Sequence, residues 1–420
     1  MGKAKIKICD AMMGSGKTTA AIRYMNEETE RRFLFITPYL DECDRIKRQC
    51  RQRNFLAPWR SEKSKFEKLH ELLAEKHNLA STHAMMHKFN EETIRLIREG
   101  HYTLVLDEVF DVLNVTDISK GDISMLVSTG EITIKSDGSV IWSDKEYSGN
   151  CFADFRKMCD DDLVVASDDD VLVWQFPTSV FDAFDEVIIL TYQFDSQIQR
   201  AYFDINGLQY EYIGVRQDAS GQYEFCDRSE QEPERCDYAQ MIHIVDSYKL
   251  NRPGNSKTAL SISWSQREMR NDGVLIRQLK KNVENLRRHV WKSSADSILW
   301  TCAKENIPIF ESDRLDEDKY LAWNYRATNA YRTKRHLFYL HNVFLNPNIL
   351  QYLHQRGADI QDSQYALTSL IQWIWRSAIR DGHEIWLFIP SARMRGLLKE
   401  WLGIVLDDIE REAVYGKAAA

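Results

Sequence analysis

Two adjoining stretches decide how the chain is read: Ile6-Lys7-Ile8-Cys9, then Asp10-Ala11-Met12-Met13-Gly14-Ser15-Gly16-Lys17-Thr18-Thr19. The first reads as a strand, and a helical pattern runs from Lys17 to about Glu30. Strand, glycine-rich turn, Gly-Lys-Thr and helix, in that order, form the pattern of a phosphate loop, with Ala11 where the first glycine usually stands. Gly14 and Gly16 let the backbone curl so that successive N–H groups face phosphate oxygens. The helix behind them adds its positive end. In such a loop Lys17 reaches the β- and γ-phosphates and Thr18 turns its hydroxyl to Mg²⁺. Met13, Gly14, Ser15, Gly16, Lys17, Thr18 and Thr19 are therefore the predicted nucleotide-binding residues, with ATP and Mg²⁺ as the predicted ligands.

Outward from this loop the pattern repeats. Arg32-Phe-Leu-Phe-Ile-Thr37-Pro38 is an apolar run ended by proline. Tyr102-Thr-Leu-Val-Leu-Asp107-Glu108 is another, ending in two carboxylates. Asp107 is the expected metal-side carboxylate beside Thr18, and Glu108 the group that orients and deprotonates the attacking water. Apolar strands alternating with helices predict a parallel sheet covered on both faces. From Thr116 to about Phe184 the pattern changes, and Ser-Asp-Gly between two short apolar runs signals a hairpin. This is read as a β-rich insertion. Glu186–Leu190 resumes a buried strand.

The polar stretch 216–238 reads as a linker, which makes 1–215 the N-terminal domain and 239–420 the C-terminal one. The second domain is expected to carry strands at Met241–Val245, Ser297–Thr301, Tyr320–Trp323, His336–Leu340 and Glu384–Ile389. Its helices are expected to include Arg277–Trp291, Ile349–Gln355, Ser363–Arg380 and Ser391–Leu402. On the third of these, spacing of four puts Gln372, Arg376 and Arg380 on one face. Arginines held so can supply charge to a γ-phosphate in its transition state. The plainer reading is an amphipathic helix with a basic stripe. The fold class predicted is α/β: two parallel-sheet domains with a β-rich insertion in the first.

Composition excludes several classes. Of 420 residues, 44% are apolar and 28% charged, too rich in core material for a disordered chain. No apolar run approaches the roughly 20 residues that cross a membrane, and Met1–Asp10 lacks the apolar core of a signal peptide. The 8 cysteines form no Cys-x-x-Cys pair, so neither a zinc site nor a disulfide framework is indicated. Reduced thiols in a cytoplasm are expected. The net charge is −8, yet it is segregated. Arg45–Lys68 holds nine basic residues against two acidic ones, and Arg277–Lys292 six against one. Met158–Glu186 holds nine acidic residues and no Lys or Arg. An acidic chain with such runs can still present a basic groove to a polyanion.

The order of these motifs resembles that of a superfamily 2 (DEAD/DEAH-like) helicase. Ala11–Thr18 is similar to motif I, Thr37-Pro38 to motif Ia, Ser81-Thr82-His83 to motif Ib and Asp107-Glu108 to motif II. Thr191-Tyr192 loosely resembles motif III, Ile298–Thr301 motif IV, Arg326-Ala-Thr328-Asn329 motif V and Gln372-x-x-x-Arg376 motif VI. The Asp-Glu pair lacks the Ala-Asp or Ala-His that follows in the named subfamilies. The second arginine of motif VI is one place late, at Arg380, which leaves open whether Arg376 or Arg380 is the arginine finger. The resemblance implies two RecA-like domains with an ATP cleft between them. It assigns catalysis to Lys17, Asp107, Glu108, Gln372, Arg376 and Arg380. It puts Thr37, Pro38, Thr82, His83, Thr301, Arg326, Thr328 and Asn329 on the nucleic-acid path, beside which the basic run adds Arg48 and Arg51. The implied activity is an ATP-dependent motor, helicase or translocase, acting on nucleic acid. DNA is favoured over RNA, single-stranded or forked, with no membrane, and with replication or recombination proteins as partners. The compact form resembles a phage- or mobile-element-encoded member, which implies a host cytoplasm. Two other readings share the motifs: a phage packaging-type ATPase, and a nucleotide-dependent clamp or adaptor without unwinding activity. The first needs a nuclease domain after the motor, whereas the acidic runs lie inside the first domain.

Overall fold

The structure is a computed structural model that describes residues 5–59, 64–144, 149, 151–167, 171–231, 237–311, 315–325 and 330–416. The chain divides into two units, Met1–Glu232 with Asn346–Ile360, and Pro233–Leu345 with Gln361–Ala420.

The first unit holds β1 (Lys5–Asp10), β2 (Arg32–Thr37), β3 (Leu79–Thr82), β4 (Tyr102–Asp107), β5 (Leu113–Val115), β6 (Ile132–Ile134), β7 (Val140–Trp142), β8 (Val164–Ser167), β9 (Val171–Gln175), β10 (Glu186–Thr191), β11 (Tyr210–Gln217) and β12 (Tyr223–Asp227). Seven of them form one sheet in the order β12-β11-β1-β10-β4-β2-β3. All its pairings are parallel except that of β12 with β11. Phe33, Leu34, Phe35 and Ile36 are fully buried, as are Leu104, Val105 and Leu106, because helices cover both faces. The helices Lys17–Glu27 and Leu40–Gln49 deliver Ala20, Ala21, Met25, Cys43 and Ile46 to a core shared with Phe33, Phe35, Val105 and Ile188. β1 lies between β10 and β11, so the loop after it opens at the carboxyl ends of the strands, where ligands of such sheets bind.

The insertion folds as expected into antiparallel pieces, a β5-β9-β8 sheet and a β6–β7 hairpin. Its own small core joins Leu126, Trp142, Phe155 and Leu172.

The second unit carries β13 (Ile242–Ile244), β14 (Ile298–Cys302), β15 (His336–Leu340) and β16 (Ile385–Phe388), in the order β13-β16-β15-β14. All pairings are parallel. Trp264, Leu279, Trp300, Phe338 and Phe388 pack on one face of it. The α/β class with two parallel-sheet units is thus the observed one.

Four sequence expectations are corrected. The stretch read as a linker begins inside a hairpin, β11–β12, that extends the first sheet. Its Arg216 pairs with Glu224 across the hairpin and with Glu230 beyond it, at 3.0 Å each, and its Asp218 pairs with Arg23 of the first helix at 2.6 Å. Charge with the composition of a solvated linker is thus spent on a cross-strand pair, Arg216 with Glu224, and on contacts of the hairpin with its surroundings. Residues 346–360, assigned to the C-terminal domain, belong to the first unit: Ser167 donates to Gln355 Oε1 at 3.1 Å, and Arg200 donates to the Asp359 carbonyl. Tyr320–Trp323 forms no strand; Tyr320 makes a single bridge to Trp300. Finally, the helix expected to reach Arg380 spans Asp362–Ile374.

Candidate nucleotide site

Gly14 and Gly16 adopt φ of +88° and +90°, the left-handed region glycine enters without strain. Gly16 is also closed to any side chain, since a Cβ there would overlap the ring of Tyr223 from β12. The helix starts at Lys17, and Ala20 N donates to Gly16 O at 2.8 Å. The curl of the loop is therefore set by two glycines and a helix N-terminus, a cradle of N–H groups suited to phosphate.

Lys17 is 9% exposed, and its Nζ donates to the carbonyls of Ala11 and Met12, the latter at 3.0 Å. Burial pushes its pKa down, while the carboxylates of Glu108, Asp10 and Asp107 oppose that. Thr18 Oγ1 donates to Asp107 Oδ1 at 3.4 Å, so the two residues expected to share Mg²⁺ do lie side by side. Asp107 itself is held from three directions. Thr37 Oγ1 donates to its Oδ2 at 3.3 Å, and His83 Nε2 donates to its backbone carbonyl at 3.0 Å. Burial, with Glu108 and Glu42 nearby, raises the Asp107 pKa to about 7. Glu108 follows in the left-handed region at φ +66°, unusual for a residue with a side chain. Its N–H is tied to the Leu190 carbonyl at 2.8 Å. The backbone thus turns abruptly at the end of β4 and is held there by the neighbouring strand β10.

Asp10 was not anticipated from sequence. It is 9% exposed, and its carboxylate accepts the N–H groups of Gln193 at 2.7 Å and Phe194 at 3.0 Å. Burial raises its pKa, against which those two N–H groups and Arg228 act. It fastens the root of the phosphate loop to the turn that follows β10. An acid closing an otherwise apolar strand was the available signal. Arg228 and Gln231, both donating to the Asp10 carbonyl, gave none.

Other predicted residues lie elsewhere. Thr37 is fully buried with its hydroxyl on Asp107, and Thr301 is fully buried in β14. Neither offers a side chain to a polymer. His83 turns its ring nitrogen to the strand end at Asp107. Pro38 and Thr82 are half-buried; Arg48, Arg51 and Thr19 are exposed. Met13 is buried and Ser15 half-buried. Arg326, Thr328 and Asn329 lie outside the described residues. In the second unit Gln372 is on the helix, but Arg376 follows its end and Arg380 sits on the 3₁₀ turn Ala378–Asp381. The three therefore share no helix face. Arg376 is 3% exposed and Gln372 9%, while Arg380 is half-buried. Among the described residues, no helix is long and apolar enough to cross a membrane.

Comparison with known proteins bears on family and fold. Residues 236–402 match the model of the YonV C-terminal Rossmann-like domain, and 113–174 that of the YonV middle domain. The second match coincides with the antiparallel insertion. The SPbeta prophage-derived uncharacterized protein YonV of Bacillus subtilis (strain 168) is 39% identical over 413 residues, which cover 95% of this chain and 98% of the relative. The chain belongs to the YonV family. YonV is thus a full-length relative, and its prophage source agrees with the phage link read from the sequence. The solved structure of apo XPD resembles this chain with a TM-score of 0.50 at 13% identity, covering 96% of each chain. A structure of XPD helicase gives a TM-score of 0.48 at 13% identity, over 96% of this chain and 95% of its own. At such identity the likeness to XPD is one of fold, the two-domain helicase fold that a YonV-family chain is here seen to share.

Proposed function

We propose that the chain is an ATP-hydrolysing motor that acts on nucleic acid, DNA in preference to RNA. One observation carries this: the glycine-curled loop with Lys17 and Thr18 stands against a buried Asp107 followed by Glu108. That donor set fits a magnesium nucleotide. A bound Mg²⁺ would be held by Thr18 and Asp107 and would neutralise charge on the phosphates. Lys17 exchanges the carbonyls of Ala11 and Met12 for β- and γ-phosphate oxygens. Glu108 accepts a proton from the attacking water, and its presence favours hydrolysis over a clamp that only binds nucleotide. The helicase fold of XPD supports the motor reading. So do Arg48 and Arg51, both exposed, and Trp59, which is 50% exposed with the Lys68 ammonium 5.0 Å from its ring centre. The expected setting is a host cytoplasm. The test is ATP turnover with no polymer, single-stranded DNA, duplex DNA and RNA. Stimulation by DNA is the expected result; turnover indifferent to every polymer would remove the motor reading and leave an ATPase.

A further inference from the structure

The hairpin β11–β12 and the turn after it reach the phosphate loop on the side of β1 away from β10 and β4. Three of their side chains touch it. The Tyr223 ring lies where a side chain of Gly16 would be. The Arg228 guanidinium donates both to the Asp10 carbonyl and, at 2.8 Å, to Gln231 Oε1. The Gln231 amide donates to the same carbonyl at 3.3 Å. On the opposite side the Asp10 carboxylate holds the backbone at Gln193 and Phe194. The loop is thus supported at its root by polar contacts and at Gly16 by an aromatic ring.

We infer that Tyr223, with Arg228, is a positioning element for nucleotide binding that keeps the phosphate loop curled before a ligand arrives. The inference rests on the nucleotide-site reading above. A left-handed glycine is the most permissive residue in a chain, so a loop built on two of them loses much conformational freedom on binding. A ring fixed against Gly16 removes alternatives beforehand and lowers that cost. Tyr223 stays in place because its strand is locked to the first helix: Arg23 of that helix pairs with Asp218 at 2.6 Å, at the hairpin turn. The support acts on the loop and not on the γ-phosphate. Its loss therefore weakens ADP and ATP alike and leaves the chemical step almost untouched.

The test is calorimetric titration of ADP and of a non-hydrolysable ATP analogue, with Mg²⁺, into the full chain and its Tyr223→Phe, Tyr223→Ala and Arg228→Ala variants. Turnover at saturating ATP is measured alongside. Tyr223→Ala should weaken both nucleotides by about tenfold, with kcat within about twofold of wild type. Tyr223→Phe should bind as wild type does, because the ring and not the hydroxyl faces Gly16. Arg228→Ala removes an exposed side chain that lies outside the core, and should weaken both nucleotides by about threefold. It decides the matter should Tyr223→Ala fail to fold. Unchanged ADP affinity in folded Tyr223→Ala, or in Arg228→Ala if that is the variant left to judge by, would overturn the inference alone. So would Tyr223→Phe as weak as Tyr223→Ala. A wild-type chain that binds no ADP would overturn the nucleotide-site reading beneath it.

Discussion

Thr37 Oγ1 donates to Asp107 Oδ2 over 3.3 Å, so the last residue of β2 serves the carboxylate delivered by β4. The helicase resemblance implies Thr37 on the polymer path, yet it is fully buried with its hydroxyl on Asp107. Thr37→Val keeps shape and removes the donor. Turnover should fall by about tenfold, as for one lost hydrogen bond to a charged group, with DNA affinity unchanged. Weakened DNA binding at wild-type turnover would restore the polymer role.

Lys17→Ala should lower ATP turnover by at least about a hundredfold, the scale of a lost transition-state contact. The Lys17 ammonium is desolvated, so its removal should cost the fold little. Circular dichroism and a melting curve separate the two effects. Wild-type turnover in the variant would show that this loop does not hold the phosphates.

The raised Asp107 pKa has a stability consequence with a definite sign. Its carboxyl titrates near pH 4 in an unfolded chain and at about 7 when folded. Between those values the folded state holds a proton that the unfolded state has lost. Stability without nucleotide should therefore decline as pH rises through that window. Asp107→Asn, neutral throughout, should melt higher than wild type at pH 8 and about equally at pH 4. A higher melting point at both values would mean that the gain has another source.

Asp10→Ala strands the N–H groups of Gln193 and Phe194 in a buried place. It should destabilise the fold by about 2 kcal/mol, the typical cost of a buried polar group left unpaired. Urea unfolding measures this. A change under about 0.5 kcal/mol would show that the turn finds other partners.

The phosphate loop, the Asp-Glu pair and most strands were legible because each is local. Glycines, an apolar run and a terminal carboxylate fall within a few residues of one another. The hairpin β11–β12 was not. Arg216, Asp218 and Glu224 have the composition of a solvated linker, and only cross-strand pairing reveals them as a sheet edge. The excursion 346–360 escaped for a related reason, since the periodicity of Pro347–Gln355 marks a helix and says nothing of which sheet it covers. Arg376 and Arg380 show the limit of spacing arguments. Helical registry holds only as far as Ile374, where the helix stops, and Ser377 then turns to an extended ψ of −169°.

The basic segment can be tested on residues the structure leaves exposed. Arg53 is unsuitable, because its guanidinium donates to the carbonyls of Thr29 and Arg31. Replacing Arg48 and Arg51 together by Ala should weaken DNA binding irrespective of sequence. It should also reduce the salt slope by up to about two. An unaltered slope would make that surface a solvated helix face.

The proposed function couples ATP hydrolysis at the Lys17–Glu108 site to nucleic acid. The most direct measurement is steady-state phosphate release from Mg-ATP by wild type and by Glu108→Gln, each with and without single-stranded DNA. Wild type should show DNA-stimulated turnover. Glu108→Gln should turn over at least about tenfold more slowly with ATP still bound, because shape and binding groups remain while the proton acceptor is gone. Equal turnover by the two proteins, or none by wild type under any condition, would contradict the proposed function.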